Sequence, residues 1–211
     1  IHPLRAGVLI PLLELLLARD ASVNGASDGW SPVNACLANR RKLGAEFLAD
    51  RGAKLDLEAA AGGGRIQSVR TFFNDDGSLK ASATRTQMES GVLWAAEYGR
   101  AEVVDFLLRM GVDKTASRQH RLTALHWAAA SGDTDTVKVL LQHGAPLEAR
   151  NVWGGTPLGS AIWAAAQAGP KTDRAPIVEL LLSAGANAGA VEYPTGHPRL
   201  DATLQRHGAG H

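Results

Sequence analysis

Thr123-Ala-Leu-His-Trp-Ala-Ala-Ala-Ser-Gly132, continuing through Val137-Lys-Val-Leu-Leu-Gln-His-Gly-Ala145, is the stretch that decides the fold. It reads as two short helices joined by a break. The first runs from Thr123 to Ser131 and opens on a threonine, whose hydroxyl can satisfy free N–H groups at a helix start. Ala128 and Ala129 are small enough to let neighbouring helices approach closely. Gly132 and Asp133 interrupt the chain. The second helix carries Val137, Leu140 and Leu141 at i, i+3 and i+4, which is one apolar face. Gly144 ends it in a left-handed conformation that glycine adopts at little cost. Residues 146–151 lead on through an extended turn. Two helices this short cannot bury both apolar faces between themselves, so copies must stack on one another.

Such copies are present. Thr156, in Gly154-Gly-Thr-Pro-Leu158, follows Thr123 by 33 residues. Upstream, Gly99, Val104, Leu107-Leu108 and Gly111 precede Gly132, Val137, Leu140-Leu141 and Gly144 by the same 33. A fixed period of this length is the mark of a repeat array. The pattern in Leu122-Thr-Ala-Leu-His126…Leu140-Leu141…Gly144-Ala145 and in Gly154-Gly-Thr-Pro-Leu158…Leu181-Leu182…Gly185-Ala186 resembles the ankyrin repeat. The resemblance extends to weaker copies in register. Gly29-Trp-Ser31-Pro-Val…Gly52-Ala53 is a second unit, and Ile1-His2 fits the Leu-His pair of a truncated first. Leu57-Glu-Ala-Ala-Ala61…Phe72-Phe73 is a divergent third, and Val92…Gly111 a fourth. The predicted units are 1–25, 26–54, 55–85, 86–117, 118–150 and 151–186, with a helical C-terminal cap at 187–211. The expected fold is an all-α ankyrin-repeat solenoid of stacked helix-turn-helix units with extended turns.

Departures from the period mark irregular places. Ser31 and Leu55, at equivalent positions, are 24 residues apart, so the extended turn after Gly52 is predicted short or absent. Leu55 to Ser90 spans 35, and the polar run from Asn74 reads as an irregular loop over 74–89. Gly144 to Gly185 spans 41 rather than 33, which places an insertion at 166–176 and predicts a longer loop between the helices of the sixth unit.

The 211 residues carry 22 Lys plus Arg against 21 Asp plus Glu, a formal charge of +1. That balance argues against a general nucleic-acid binder, which needs a concentrated basic face. The single cysteine, Cys36, excludes an intrachain disulfide and suggests a reducing, cytoplasmic setting. The most apolar run, from Gly7 to Ala18, contains Pro11 and Glu14 and falls short of the roughly 20 residues of a membrane span. A buried helix is expected there, and no membrane association. The chain begins at Ile1, inside a unit, as expected if it is the recognition part of a larger protein.

No catalytic, metal or cofactor constellation emerges. A Cys-x-x-Cys spacing is absent, since the chain has one cysteine. Gly62-Gly-Gly-Arg65 lacks the ending of a phosphate loop, Asn74-Asp-Asp-Gly-Ser reads as a turn, and Arg40-Arg-Lys42 reads as a solvated turn. Cys36 replaces a small alanine and is expected in the core. The resemblance implies a structural role for His2 and His126, bonding backbone across adjacent turns. His143 and His207 stand in last helical turns, facing free carbonyls. Trp94 and Trp127 share one position before the Ala-Ala pair and are expected to stack between repeats.

The resemblance also implies where a partner protein would bind: side chains on the extended turns and the outward part of each first helix. Carried onto this sequence, those positions are Trp30, Ala38 and Asn39; Glu97 and Tyr98; Gln119, His120, Leu122, Ala130 and Ser131; and Val152, Trp153, Trp163 and Ala164. Trp30, Trp153 and Trp163 either anchor a partner or pack partly against neighbouring turns. The expected function is non-catalytic protein binding on the concave face. Its rival is an enzyme or small-molecule binder with a pocket at the irregular third unit or the sixth-unit insertion.

Overall fold

The computed structural model describes residues 6–25, 31–168 and 173–209. Its helices are Ala6–Leu17 (α1), Pro32–Ala38 (α2), Lys42–Asp50 (α3), Leu57–Gly62 (α4), Ile66–Arg70 (α5), Arg85–Glu97 (α6), Ala101–Arg109 (α7), Ala124–Ser131 (α8), Thr134–Gln142 (α9), Pro157–Ala168 (α10), Ala175–Ser183 (α11) and Pro198–Arg206 (α12). A two-residue hairpin, Ser117–Arg118 (β1) with Leu122–Thr123 (β2), precedes α8. Helices α2, α4, α6, α8 and α10 pack successively in one row. In the second row α1 lies on α3, α5 on α7, α7 on α9, α9 on α11 and α11 on α12. Each pair lies on the next in chain order.

Local chemistry fixes the helix starts. Ser31, Asp56, Thr84 and Asp133 each accept a backbone N–H from the first turn of the helix they open. Stacking then supplies the core. Val104 and Leu107 of α7, Val137 and Leu140 of α9, and Val178 and Leu181 of α11 are all fully buried. On the other row Ala95, Ala96, Ala128, Ala129 and Ala161 are equally inaccessible. Their methyl groups allow the close approach that bulkier side chains would prevent. Cys36 is buried in a second, N-terminal cluster with Val33, Leu37, Ala45 and Leu48. Burial pushes its thiol up, which keeps it protonated and unreactive.

His126 ties one unit to the next. Its Nδ1 accepts from the Thr123 backbone N–H at 3.2 Å and lies 2.8 Å from the Thr123 hydroxyl. Its Nε2 is 3.1 Å from the carbonyl oxygen of Gly155, in the following turn. Because Nδ1 accepts, Nε2 carries the proton and donates. His143 and His207 behave differently from the sequence expectation. Rather than serving carbonyls of their own helices, their Nε2 atoms reach Asp105 at 2.8 Å and Glu179 at 2.9 Å, on the preceding second-row helix. A carboxylate is the stronger acceptor, and stacking brings it within range. His2 lies outside the described residues.

Three further differences have physical causes. The expected loop over 74–89 closes earlier, because Thr84 and Gln87 form a reciprocal capping box that starts α6 at Arg85. In the sixth unit part of the insertion is helical: α10 runs to Ala168, with no glycine to stop it at the position equivalent to Gly132. Residues 169–172 lie outside the described residues. Finally, α1 is buried on one face alone. Leu9 is inside, whereas Val8, Leu12, Leu15 and Leu16 are exposed, since α3 is the helix that covers it among the described residues. No helix among the described residues is long and apolar enough to cross a membrane.

Gly132 has φ +88°, and a Cβ there would collide with the guanidinium of Arg174, which would have to leave its bond to the Ala130 carbonyl. Gly111 has φ +80° with open space around it. Gly111→Ala is therefore expected to cost only the backbone strain, about 1–2 kcal/mol. Gly132→Ala is expected to cost measurably more, and Arg174→Ala in the same chain to remove the excess; urea unfolding of the variants checks this. A second outcome concerns pH. Burial holds the His126 pKa below its ordinary 6.5. As pH falls below 6.5 the unfolded chain takes up a proton that folded His126 refuses, so its stabilisation is whole above 6.5 and declines below. The stability difference between the wild type and His126→Gln is expected to shrink between about pH 7.5 and about pH 5.5. Unfolding curves at the two pH values measure it.

Candidate functional site

The extended turns and the open side of the α8–α10 row enclose a groove of about 990 Å³. Its lining includes Glu97, Tyr98, Gln119, His120, Leu122, Ser131, Trp153 and Trp163, together with Ala130 and Ala164. Residues from three predicted units thus meet in one hollow. Asn39 is not among them; its side chain donates back to the Ala35 carbonyl of its own helix at 2.8 Å. Trp30 lies outside the described residues.

One wall is carried by the turns. Gln119, His120 and Arg121, at the tip of the β1–β2 hairpin, all have positive φ, of 26°, 60° and 59°. This tight reversal projects His120 outward. The His120 ring lies 4.7 Å from the Trp153 indole of the next turn, and the Val152 N–H donates to the His120 carbonyl at 3.0 Å. Trp153 is 70% exposed and Trp163, on α10, is 63% exposed. Neither indole is substantially buried, which separates them from Trp94 and Trp127, at 9% and 8%.

Trp94 and Trp127 are structural, but a cation joins them. The Arg118 guanidinium stands 3.3 Å from the Trp94 ring centre and 5.2 Å from that of Trp127. The same arginine forms an ion pair with Glu97, and Arg40 approaches the other Glu97 oxygen at 3.3 Å. Tyr98 stacks on Trp94 and donates its hydroxyl to the Leu37 carbonyl at 2.5 Å. Burial pushes the Glu97 carboxyl up while the two arginines pull it down; burial wins. Burial lowers the Arg118 pKa in turn, opposed chiefly by Glu97. Glu97 and Tyr98, read from the sequence as partner contacts, are therefore largely spoken for by the scaffold.

Sequence reasoning missed the cations. Arg40 was assigned to a solvated turn. It is solvated, with 74% of its side chain exposed, yet it reaches Glu97 and lies 5.9 Å from the Trp127 ring centre. A signal was present: Arg40 follows Ser31 by nine residues, as Gly132 follows Thr123, and it adopts the left-handed φ of 54° that glycine takes elsewhere. Arg174 also lines the groove, donating to the Ala130 carbonyl at 3.0 Å. Nothing local marks Arg118 or Arg174, whose partners are 21 and 44 residues away.

A second hollow, of about 450 Å³, sits at the third unit against Phe73, Asn74, Asp75, Asp76 and Lys80. All but Phe73 are exposed there. Asp76 is held by the Ser78 hydroxyl and N–H, and Lys80 donates to the Thr71 carbonyl. Among the described residues no three His, Cys, Asp or Glu side chains gather as metal ligands would.

Stacked helix pairs joined by projecting turns define a solenoid of the helical-repeat class. Residues 92–191 match the ankyrin-repeat family in three copies, and the fold is an all-α ankyrin-repeat solenoid. Human ankyrin repeat and SOCS box protein 16 is 28% identical over 203 residues, covering 88% of this chain and 45% of that protein. Protein PhlB of Serratia liquefaciens is 29% identical over 130 residues, covering 61% of this chain and 56% of that protein. The E3 ubiquitin-protein ligase hecd-1 of Caenorhabditis elegans is 40% identical over 68 residues, covering 32% of this chain and 2% of that protein. The chain spans less than two thirds of each of these relatives.

Arg118→Ala leaves Glu97 with its exposed partner alone and empties the space between two indoles. The expected loss is about 2–4 kcal/mol, from a largely buried ion pair and a desolvated cation–π contact. Arg118→Lys is expected to recover part of it, because an ammonium keeps the charge but not the planar stacking. Urea unfolding followed by far-UV circular dichroism gives both values.

Proposed function

We propose that this chain is a non-catalytic protein-binding scaffold whose concave groove receives a partner. Ankyrin repeats are in general protein–protein interaction modules, and the chain carries them. The observation that supports the concave face is the exposure of Trp153 and Trp163 on a wall otherwise built from packed helices and short turns. Large aromatic side chains on a rigid surface are favoured as binding anchors. The groove is assembled before any partner arrives, so little conformational entropy is lost on binding. A cytoplasmic setting is part of the same reading and rests on the single protonated thiol. So is a role as the recognition part of a larger protein, supported by relatives of which the matched stretch is only a part.

The rival, an enzyme or small-molecule binder with a pocket at the irregular third unit or the sixth-unit insertion, has weaker support. At the third unit the ionisable groups are exposed, and Asp76 and Lys80 are already held by Ser78 and by the Thr71 carbonyl. For the binding reading, Trp153→Ala with Trp163→Ala is expected to leave the far-UV spectrum and unfolding midpoint within error. The same pair is expected to abolish retention of those proteins that the wild-type chain captures from its own cell extract. Unfolding of the double variant, or unchanged capture, overturns the assignment of the two indoles.

A further inference from the structure

We propose that the groove is matched to an acidic peptide: a segment of a partner protein that brings carboxylates to Arg40 and Arg174 and a bulky apolar side chain to Trp153 and Trp163. The proposal rests on the reading that the concave face binds protein, and it adds the chemistry of the occupant.

The charges lining the groove do not balance. Among the described residues that line it, Glu97 is the one carboxylate, against Arg40 and Arg174. Glu97 also has two arginine partners and needs one. Arg118, with 16% of its side chain exposed, is the fixed one, held between the indoles of Trp94 and Trp127. Arg40 is the dispensable one: 74% exposed and 3.3 Å away, it can turn to an incoming carboxylate while Glu97 keeps Arg118. Arg174 is more pointed. It donates one N–H to the Ala130 carbonyl, its Nε is buried with no acceptor, and no carboxylate pairs with it among the described residues. Its neighbour Asp173 is taken by Arg199 at 2.7 Å. A cation drawn partly out of water without a counter-charge is costly, and a ligand anion relieves that cost.

Arginine and tryptophan side chains can only donate hydrogen bonds. Around Arg40, Arg174 and the two exposed indoles the groove therefore offers donors and apolar faces. An occupant that satisfies both must carry acceptors and apolar bulk. A phosphate backbone is the less suitable match. The two cations come from different units, the α2–α3 turn and the start of α11. The chain as a whole is nearly neutral, at +1. Nucleic-acid affinity needs a contiguous basic track.

Random 12-residue peptides displayed on phage and selected on the full 211-residue chain test this, with the Trp153→Ala, Trp163→Ala double variant as counter-selection. Selected sequences are expected to place Asp or Glu beside Trp, Phe or Leu. A synthetic peptide from that pool is expected to bind about 3–10-fold more weakly to Arg40→Gln and to lose affinity as salt rises. Arg174→Gln is expected to weaken it likewise, and Arg40→Gln, being exposed, keeps the test valid if Arg174→Gln misfolds. Peptides that need the tryptophans but carry no acid, or ignore Arg40, overturn the acidic proposal and leave the concave reading standing. Binders indifferent to the tryptophans, or none at all, overturn both. Displacement of the peptide by a random single-stranded oligonucleotide reassigns the cations to phosphate and also overturns the proposal.

Discussion

Val104 and Leu107 of α7, Val137 and Leu140 of α9, and Val178 and Leu181 of α11 are inaccessible because each of these helices packs both on the first helix of its own pair and on the second-row helix of the next. Burial of each such side chain is worth about 1.5–3 kcal/mol, and in this fold part of it is delivered across the joints between units. The alanines of the first-helix row set how close those joints are, and His126 adds a directional bond from one unit to the turn of the next. Regular stacking is therefore the constraint behind everything else. It holds the turns in a row, and a row of turns makes a groove.

The concave side shows what happens where the regularity fails. The connection between α3 and α4 is confined to 51–56. No extended turn is projected there. Arg40 from the second unit and Arg118 from the hairpin of the fifth converge on one carboxylate of the fourth, and two indoles flank the arginine that is buried. A pair of charges at this depth contributes little net stability compared with apolar packing, because desolvation offsets most of the Coulomb attraction. What it does contribute is register: Glu97, Trp94 and Tyr98, with Arg118 and Arg40, fit together in one arrangement of three non-adjacent stretches. Trp153 and Trp163, by contrast, take part in no such lock and stand in solvent.

The same residue type therefore plays opposite roles in one chain. Four tryptophans among the described residues divide cleanly, two beneath a guanidinium and two exposed on the groove wall. Sequence position separated them, since Trp94 and Trp127 stand 33 residues apart at one position of the repeat and Trp153 and Trp163 do not fall there. It did not reveal that an arginine would lie between the first two, and it counted Glu97 and Tyr98 with the outward-facing residues when much of their bonding is internal. Asn39 also fell in the right register, but its amide found a nearer acceptor at Ala35.

The period of 33, the apolar spacing within each second helix and the glycine after it were enough, by themselves, to determine that helix pairs stack in chain order. Those are local and periodic signals, and stacking energy depends on little more than the apolar faces they create. The convergence of Arg40 and Arg118 on Glu97 and the place of Arg174 in the groove were decided by the tertiary structure. Each depends on which side chain lies nearest after stacking. A cation can reach a carboxylate, a carbonyl or an indole face with comparable energy, and only the folded geometry selects among them.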